Sequence, residues 1–377
     1  ILMSVKICHV TSAHKRYDDR IFEKECVSLA EEYDVHLLVN DQLGEETVKN
    51  VHIHSMNIFF RNRVERVLNY KKVLEAALYL DADIYHLHDP ELLLIAKKLL
   101  KHNKKVIFDS HEYYYEQIKS KKYIPTILRS TIAFFYKKYE TYICKRITGV
   151  ISICPLREGN IVYDPFENRC KNHKYIANYP VFKNIEACIN RDNDDFKVCY
   201  AGGLAHERGI THLIDACYKA DCKLILAGTF SSDEYKEKLQ QKESFKCVDY
   251  RGQCTTKEVF EIYEDASLGA STLLNCGQYF KIETFPVKVY EYFQMKLPVL
   301  ISNYPYAVNM NKAHKFGISV CPDNIDEMAD AINLLKGDKQ LCSELGSNGN
   351  TLYKEELNWL KESKKLLLFY KDIIEKG

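Results

Sequence analysis

The chain has 377 residues, 46% of them hydrophobic and 28% charged, with a formal net charge of +1. That length exceeds one ordinary hydrophobic core and suits two domains of Rossmann size, while the near-average composition without low-complexity tracts excludes extensive disorder. The charge is unevenly placed, with residues 1–180 at about +5 and the remainder at about −4.

From the start, short apolar runs alternate with helical stretches: strand 5–11, helix 20–32, strands 35–40 and 51–56, helix 64–80, strand 84–88, helix 90–102, strand 105–109, helix 124–145 and strand 149–153. This alternation predicts a parallel sheet with helices on both faces. It begins afresh after Asn178-Tyr179-Pro180, with strand 196–201, helix 208–220, strand 223–228, helix 232–241, strand 248–252, helix 256–264, strand 267–271, helix 286–296, strands 298–302 and 317–320, and helix 324–336. A further helical segment precedes residues 359–374, whose apolar spacing predicts a terminal helix able to pack across the domains. The expected boundaries are 1–180 and 181–377, with 359–377 returning to the first domain. Two such halves predict a cleft at the carboxyl ends of their strands.

The fourteen cysteines are scattered without a C-x-x-C pair, which predicts reduced, buried thiols. No signal peptide precedes residues 5–11 and no apolar run approaches the ~20 residues needed to span a bilayer, so a cytoplasmic location is expected.

Chemistry concentrates at predicted strand ends. In the first half, Ile84-Tyr-His86-Leu-His88-Asp89-Pro90 and Val106-Ile-Phe-Asp109-Ser-His111-Glu112 each close an apolar strand with ionisable residues, and His14 follows the first strand. His111 is the first choice for touching a ligand; the alternative places His86 in the sheet and leaves His88, Asp89 and Asp109 capping helices or bonding backbone. His86 and His88 share a strand face, yet no cysteine or further histidine at ligand spacing supports a metal site. The first loop also lacks G-x-G-x-x-G, which disfavours NAD or FAD; Asp19 is the expected cap of the helix near Arg20.

In the second half, Gly202-Gly203 follows a strand, where small residues let a phosphate approach the backbone and Arg208 supplies a bidentate donor. Glu283, Pro286, Lys288 and Glu291 surround a helix start: Pro286 suits the first turn, Glu283 precedes it, and Lys288 shares a face with Glu291. A first-turn lysine opposes the helix dipole unless an anion such as a diphosphate docks there. The segment reads either as a nucleotide-sugar site or as a surface helix with ordinary charges. Residues 117–146 carry eight basic residues against Glu140 alone, interleaved with aromatics. An anionic membrane surface is the expected partner of this segment; a solvated structural helix and a nucleic-acid face are the alternatives, the last set aside.

These motifs resemble the family 4 retaining glycosyltransferases of the GT-B fold. The start, His9-Val-Thr-Ser-Ala-His14 with Asp19-Arg20-Ile-Phe-x-Lys24-Glu25, is similar to a subgroup of bacterial polysaccharide transferases, as are His86-x-His88-Asp89-Pro90-Glu91, Asp109-Ser-His111-Glu112 and Asn178-Tyr179-Pro180. Glu283 to Glu291 matches the family's E-x7-E motif, and Asn358-Trp359 with its helix resembles the element that crosses back. The resemblance implies two Rossmann-like domains, acceptor-binding and then donor-binding, and a nucleotide-sugar donor such as a UDP- or GDP-sugar with no metal or other cofactor. Glu291 would bind the ribose and Glu283 orient the sugar. Arg208 and Lys288 would stabilise the leaving diphosphate beside Gly202, Gly203 and Pro286. His111 would touch the sugar, and His14, His88 and Asp89 would lie on the acceptor side. The implied activity is sugar transfer with retention to a lipid-linked or polysaccharide acceptor in surface-glycan synthesis (capsule, O-antigen or exopolysaccharide), at the cytoplasmic membrane face. A sugar-nucleotide 2-epimerase and a non-catalytic partner subunit are the competing readings. Two departures stand out: members often have Gly-Arg after the first strand of the second domain, where this chain has Gly202-Gly203, and the glycine-rich first loop of many members is missing.

Overall fold

The computed structural model describes residues 5–120, 124–181, 195–276 and 280–375, the side chains of Arg63 and Ser120 excepted. Lys121, Lys122 and Tyr123 of the basic segment lie outside the described residues. The chain divides into two units, one of Ile1–Asn178 with Trp359–Gly377 and one of Tyr179–Asn358.

The first unit holds strands β1 (Lys6–Thr11), β2 (Asp34–Val39), β3 (Glu46–Val48), β4 (Val51–Ser55), β5 (Ile84–Leu87), β6 (Lys105–Ser110), β7 (Gly149–Ser152), the short hairpin β8 (Leu156–Glu158) and β9 (Ile161–Tyr163), and β10 (His173–Tyr175). Its eight-stranded sheet runs β10-β7-β6-β5-β1-β2-β4-β3, parallel throughout except for β3 at the edge. The central strands are buried on both faces, as their unbroken apolar runs require. Because β1 sits between β5 and β2, the connections leave it in opposite directions. That makes the β1/β5 boundary a topological switch point, where loops part and leave a crevice at the strand ends.

The second unit repeats the design with β11 (Lys197–Ala201), β12 (Lys223–Ala227), β13 (Val248–Gly252), β14 (Leu268–Ser271), β15 (Val299–Ser302) and β16 (Gly317–Val320). The order β13-β12-β11-β14-β15-β16 is the Rossmann order 3-2-1-4-5-6, all parallel, with its switch point between β11 and β14.

Several elements differ from expectation for local reasons. The predicted helix 20–32 is a π-helical turn, Ile21–Cys26, continued by Val27–Leu29. Its cap is Asp18 rather than Asp19: the Asp18 carboxylate accepts from the amides of Arg20 and Ile21, both at 2.9 Å. Helix 64–80 breaks at Asn69 into Arg63–Leu68 and Tyr70–Tyr79.

The terminal helix Trp359–Glu375 belongs to the first unit. Trp359 Nε1 donates to Ser28 Oγ at 2.9 Å, Glu362 accepts from the Ala177 amide at 2.8 Å, and Lys105 Nζ reaches the Ile373 carbonyl at 2.8 Å. Phe369 stands so close to Gly149 that an added Cβ would lie 2.7 Å from its ring. The helix therefore covers the sheet face formed by Ile7, Ile84, Ile107 and Ile151.

Candidate active site

The first unit's switch point gathers the histidines that the strand ends announced. Thr11 ends β1, Ser12 and His14 follow it, and His88 and Asp89 follow β5. Asp89 is spent on the first loop: its Oδ2 accepts from Thr11 Oγ1 at 2.8 Å, Ser12 N at 2.7 Å and Ala13 N at 3.2 Å, while Oδ1 meets His14 Nδ1 at 3.1 Å. Its carboxylate makes no side-chain cap on the turn beginning at Pro90. Burial opposes ionisation of Asp89, but His14 and the Ser12 amide hold its carboxyl well below the usual range. Burial likewise would lower His14, yet the Asp89 carboxylate outweighs it and raises that imidazole.

Beneath this loop runs a chain of imidazoles. His111 Nε2 lies 3.1 Å from His88 Nδ1, and His88 Nε2 lies 2.9 Å from His9 Nδ1. His9 is the register partner of His86 across β1 and β5, and His86 Nδ1 contacts Tyr370 Oη of the terminal helix at 2.7 Å. His9, His86 and His88 are fully buried. Burial pushes His88 down to about 4 and pulls His9 and His86 well below the ordinary histidine value, so all three are neutral at pH 7.

Asp109 anchors the chain, with Oδ2 at 3.0 Å from His111 Nε2. Arg20 grips this carboxylate with two bonds, Nε to Oδ2 at 2.9 Å and Nη2 to Oδ1 at 3.1 Å, and its Nη2 also lies 3.0 Å from Glu25 Oε1. Burial raises Glu25 well above the ordinary carboxyl value, with the Asp109 charge adding to the shift, so the pair shares one arginine as one carboxylate and one acid. His9, Glu25, His86 and His88 lie close enough for their ligand atoms to fall within 4.8 Å of one another, as do His88, Asp109 and His111. Sequence spacing gave no role to His9, Arg20 and Glu25; for His9 the available signal was a polar residue inside a buried strand, while Arg20 and Glu25 lie at the π-helical turn.

The second unit's switch point carries the opposite chemistry. After β11, Gly202 adopts φ +137°, and a Cβ there would lie 3.0 Å from Lys288 Nζ. Lys288 is on helix Val287–Gln294, capped by Pro286, and its ammonium sits 3.4 Å from the centroid of the Tyr200 ring. Burial drives Lys288 well below the ordinary lysine value, and the charge of Arg208 adds to the shift. Arg208 ends a short 3-10 turn, and Gly209 follows at φ +74° as the cap of helix Ile210–Lys219; any Cβ at Gly209 would strike the Thr272 carbonyl beyond β14. Glu291 accepts from Tyr263 Oη at 2.8 Å. Glu283 is half-buried, in a loop fixed by Tyr290, whose hydroxyl contacts Thr284 Oγ1 at 2.9 Å and accepts from the Phe285 amide at 3.1 Å. Gly202, Lys288 and Arg208 thus come together around one strand end, with Glu291 one helical turn beyond Lys288.

Two family descriptions cover these two halves: Glycosyltransferase Family 4 matches residues 26–156, and Glycosyl transferases group 1 matches residues 181–352. The chain belongs to the family 4 glycosyltransferases of the GT-B fold. No curated protein matches its sequence. Among solved structures, this glycosyltransferase resembles sucrose-phosphate synthase from Thermosynechococcus elongatus (15% identity, 99% of this chain and 100% of that one, TM-score 0.75). It also resembles HepE from Anabaena in complex with UDP and glucose (14%, 98% and 100%, 0.69). A third is the trehalose 6-phosphate synthase of Burkholderia multivorans (12%, 99% and 98%, 0.63). At these identities the likeness concerns the fold.

Proposed function

We propose that this glycosyltransferase moves a sugar from a nucleoside-diphosphate sugar, with retention of configuration, to a lipid-linked or polysaccharide acceptor in surface-glycan synthesis. The observation that carries the reading is Lys288, a buried ammonium held beside Arg208 against a glycine-rich strand end. The Arg208 charge disfavours the Lys288 ammonium and the Glu291 carboxylate favours it, and a diphosphate would add two further negative charges at that point. Glycosyl transfer leaves negative charge on the departing phosphate, which fixed cations stabilise. The proposal therefore assigns the leaving group to Arg208 and Lys288 rather than to a metal ion. Glu291, oriented by Tyr263, takes the ribose hydroxyls, and Glu283 takes the sugar. HepE was solved with UDP and glucose, and the same donor class is proposed here. In the first unit, His111 and His14 meet hydroxyls of the sugar or acceptor.

The test is a pair of variants. Glu283→Ala lowers transfer far more than it weakens nucleoside-diphosphate binding, whereas Glu291→Ala weakens that binding directly; equal losses in both assays would refute the division. Epimerised donor formed without acceptor would replace transfer by epimerisation.

The helix Thr126–Cys144 supports a membrane partner for this reading. It buries only Ala133, Glu140, Ile143 and Cys144, and leaves Ile127 (86% exposed), Phe134 (55%) and Phe135 (65%) beside exposed Lys137 and Lys138. Its sole acid, Glu140, is buried against Arg169. Among the described residues no helix is long and apolar enough to cross a membrane, so the proposed contact is peripheral, through anionic lipid.

A further inference from the structure

The hydrogen positions of the buried imidazoles follow from one carboxylate. Asp109 is held ionised by the two bonds from Arg20, and its Oδ2 lies 3.0 Å from His111 Nε2. Two lone pairs repel at that distance, so His111 Nε2 carries a hydrogen. The same nitrogen is 3.1 Å from His88 Nδ1. His88 Nδ1 also lies 3.5 Å from Asp109 Oδ2, too far for a good hydrogen bond, and a hydrogen on it would crowd the one on His111 Nε2, so His88 Nδ1 is bare and its hydrogen is on Nε2. That hydrogen points at His9 Nδ1, 2.9 Å away, which is bare in turn and leaves His9 protonated on Nε2.

We infer that Asp109 sets one tautomer along the chain His111–His88–His9 and thereby presents His111 Nδ1 as a hydrogen-bond acceptor for a ligand hydroxyl, with Arg20, Asp109 and His88 as positioning residues. Among the described residues, His111 has polar contacts only through Nε2, with Asp109 and His88, so Nδ1 is the nitrogen left for a ligand. The acceptor suits a polyhydroxylated ligand, because every sugar hydroxyl can donate one hydrogen. A phosphate or carboxylate would be repelled by the same lone pair. The inference rests on the proposed function only in taking a sugar or glycan as the ligand.

The experiment is a long-range proton–nitrogen correlation spectrum of nitrogen-15-labelled full-length protein at pH 7.5, with the histidines assigned by single substitutions. His9, His88 and His111 are expected to show a protonated Nε2 and a bare Nδ1. Protonation of His88 or His111 at Nδ1 in the wild-type spectrum overturns the inference, and the substitutions serve only to assign the signals. In transfer assays, Asp109→Asn lowers kcat by about 10- to 100-fold, the size seen when a partner that orients an active imidazole is lost. Nucleoside-diphosphate binding stays unchanged in that variant. Should its kcat match the wild type, the positioning role falls. The expected spectrum in a protein that transfers no sugar would sink the proposed activity and leave the tautomer chain standing.

Discussion

Replacing Lys288 by methionine separates what the lysine does for folding from what it does for a ligand. The ammonium is buried, and both burial and Arg208 disfavour its charge. Its folded pKa is depressed, so at neutral pH, far below the ordinary lysine value, the charged group costs stability rather than adding to it. Its charge is favoured by the Glu291 carboxylate and by the Tyr200 ring at 3.4 Å, and cation–π contacts are worth about 0.5–2 kcal/mol. Methionine keeps much of that contact, since sulfur over an aromatic ring recovers about 0.3–1.5 kcal/mol, and it fits the same volume. Replacing buried charged groups by well-packed apolar ones is often neutral or stabilising by about 1–4 kcal/mol. The balance predicts that Lys288→Met stabilises the ligand-free protein by about 1 kcal/mol or more, which raises the melting temperature by about 2–4 °C for a unit of this size. UDP reverses the ranking. At a hundred times its Kd a ligand stabilises the wild type by about 2.7 kcal/mol, and the variant is expected to lose most of that shift. Thermal melting with and without UDP and GDP reads both effects. A variant that melts below the wild type in the absence of nucleotide, or that keeps the full nucleotide shift, would refute the reasoning.

The buried histidines predict acid sensitivity. Since His88 is pushed down to about 4 from 6.5 and the unfolded chain takes up the protons, stability is complete above pH 6.5 and falls by about 3 kcal/mol for this residue as pH drops to 4, with His9 and His86 adding in the same direction; melting curves between pH 7.5 and 4.5 check it. Gly149→Ala drives a Cβ to 2.7 Å from Phe369, so a loss of about 1–3 kcal/mol and faster amide exchange in the terminal helix are expected. Tyr263→Phe removes the bond to Glu291 and should weaken nucleoside-diphosphate affinity by about fivefold, the size of one ordinary hydrogen bond, as measured by calorimetry.

Sheet strands were legible because parallel strands buried on both faces read as apolar runs, as β6, β11, β12 and β14 do and as β1 and β5 do apart from His9 and His86. The three-residue strands β3, β8, β9 and β10 were not, since three residues carry no periodicity. Helix Pro305–His314 escaped notice although Pro305 sits at its first turn, a start signal that its weakly amphipathic sequence did not support. The site shows the same division. His88, His111, Lys288 and Glu291 were found because each follows an apolar run or sits near a helix start. His9, Arg20 and Tyr200 were not, because their roles depend on which residue stands opposite them, and sequence spacing says nothing of a partner 77 positions away such as His86.

The two switch points invert the charge of the halves that carry them. The first half is basic, at about +5, yet its strand ends hold Asp89, Asp109 and neutral imidazoles; the second is acidic, at about −4, yet its strand end holds Lys288 and Arg208. Net charge therefore does not describe the sites, and the basic excess has another address: residues 117–146 carry eight basic residues against one acid, more than the whole surplus of the first half. Helix Thr126–Cys144 holds Arg129, Lys137 and Lys138 of these beside exposed Phe134 and Phe135, and charge so placed acts over about a Debye length, which suits a surface rather than a small ligand. Each basic residue close to an anionic bilayer contributes about 1 kcal/mol. Lys137→Glu with Lys138→Glu removes two such contributions and adds two repulsions, a loss of about a thousandfold in binding to phosphatidylglycerol vesicles. Phe135→Ser should weaken binding to those vesicles at high salt as well, since its apolar contribution is not screened. Equal sedimentation of the wild type with neutral and anionic vesicles would remove the charge from the argument, and with it the reason for placing so much of it on the segment 117–146.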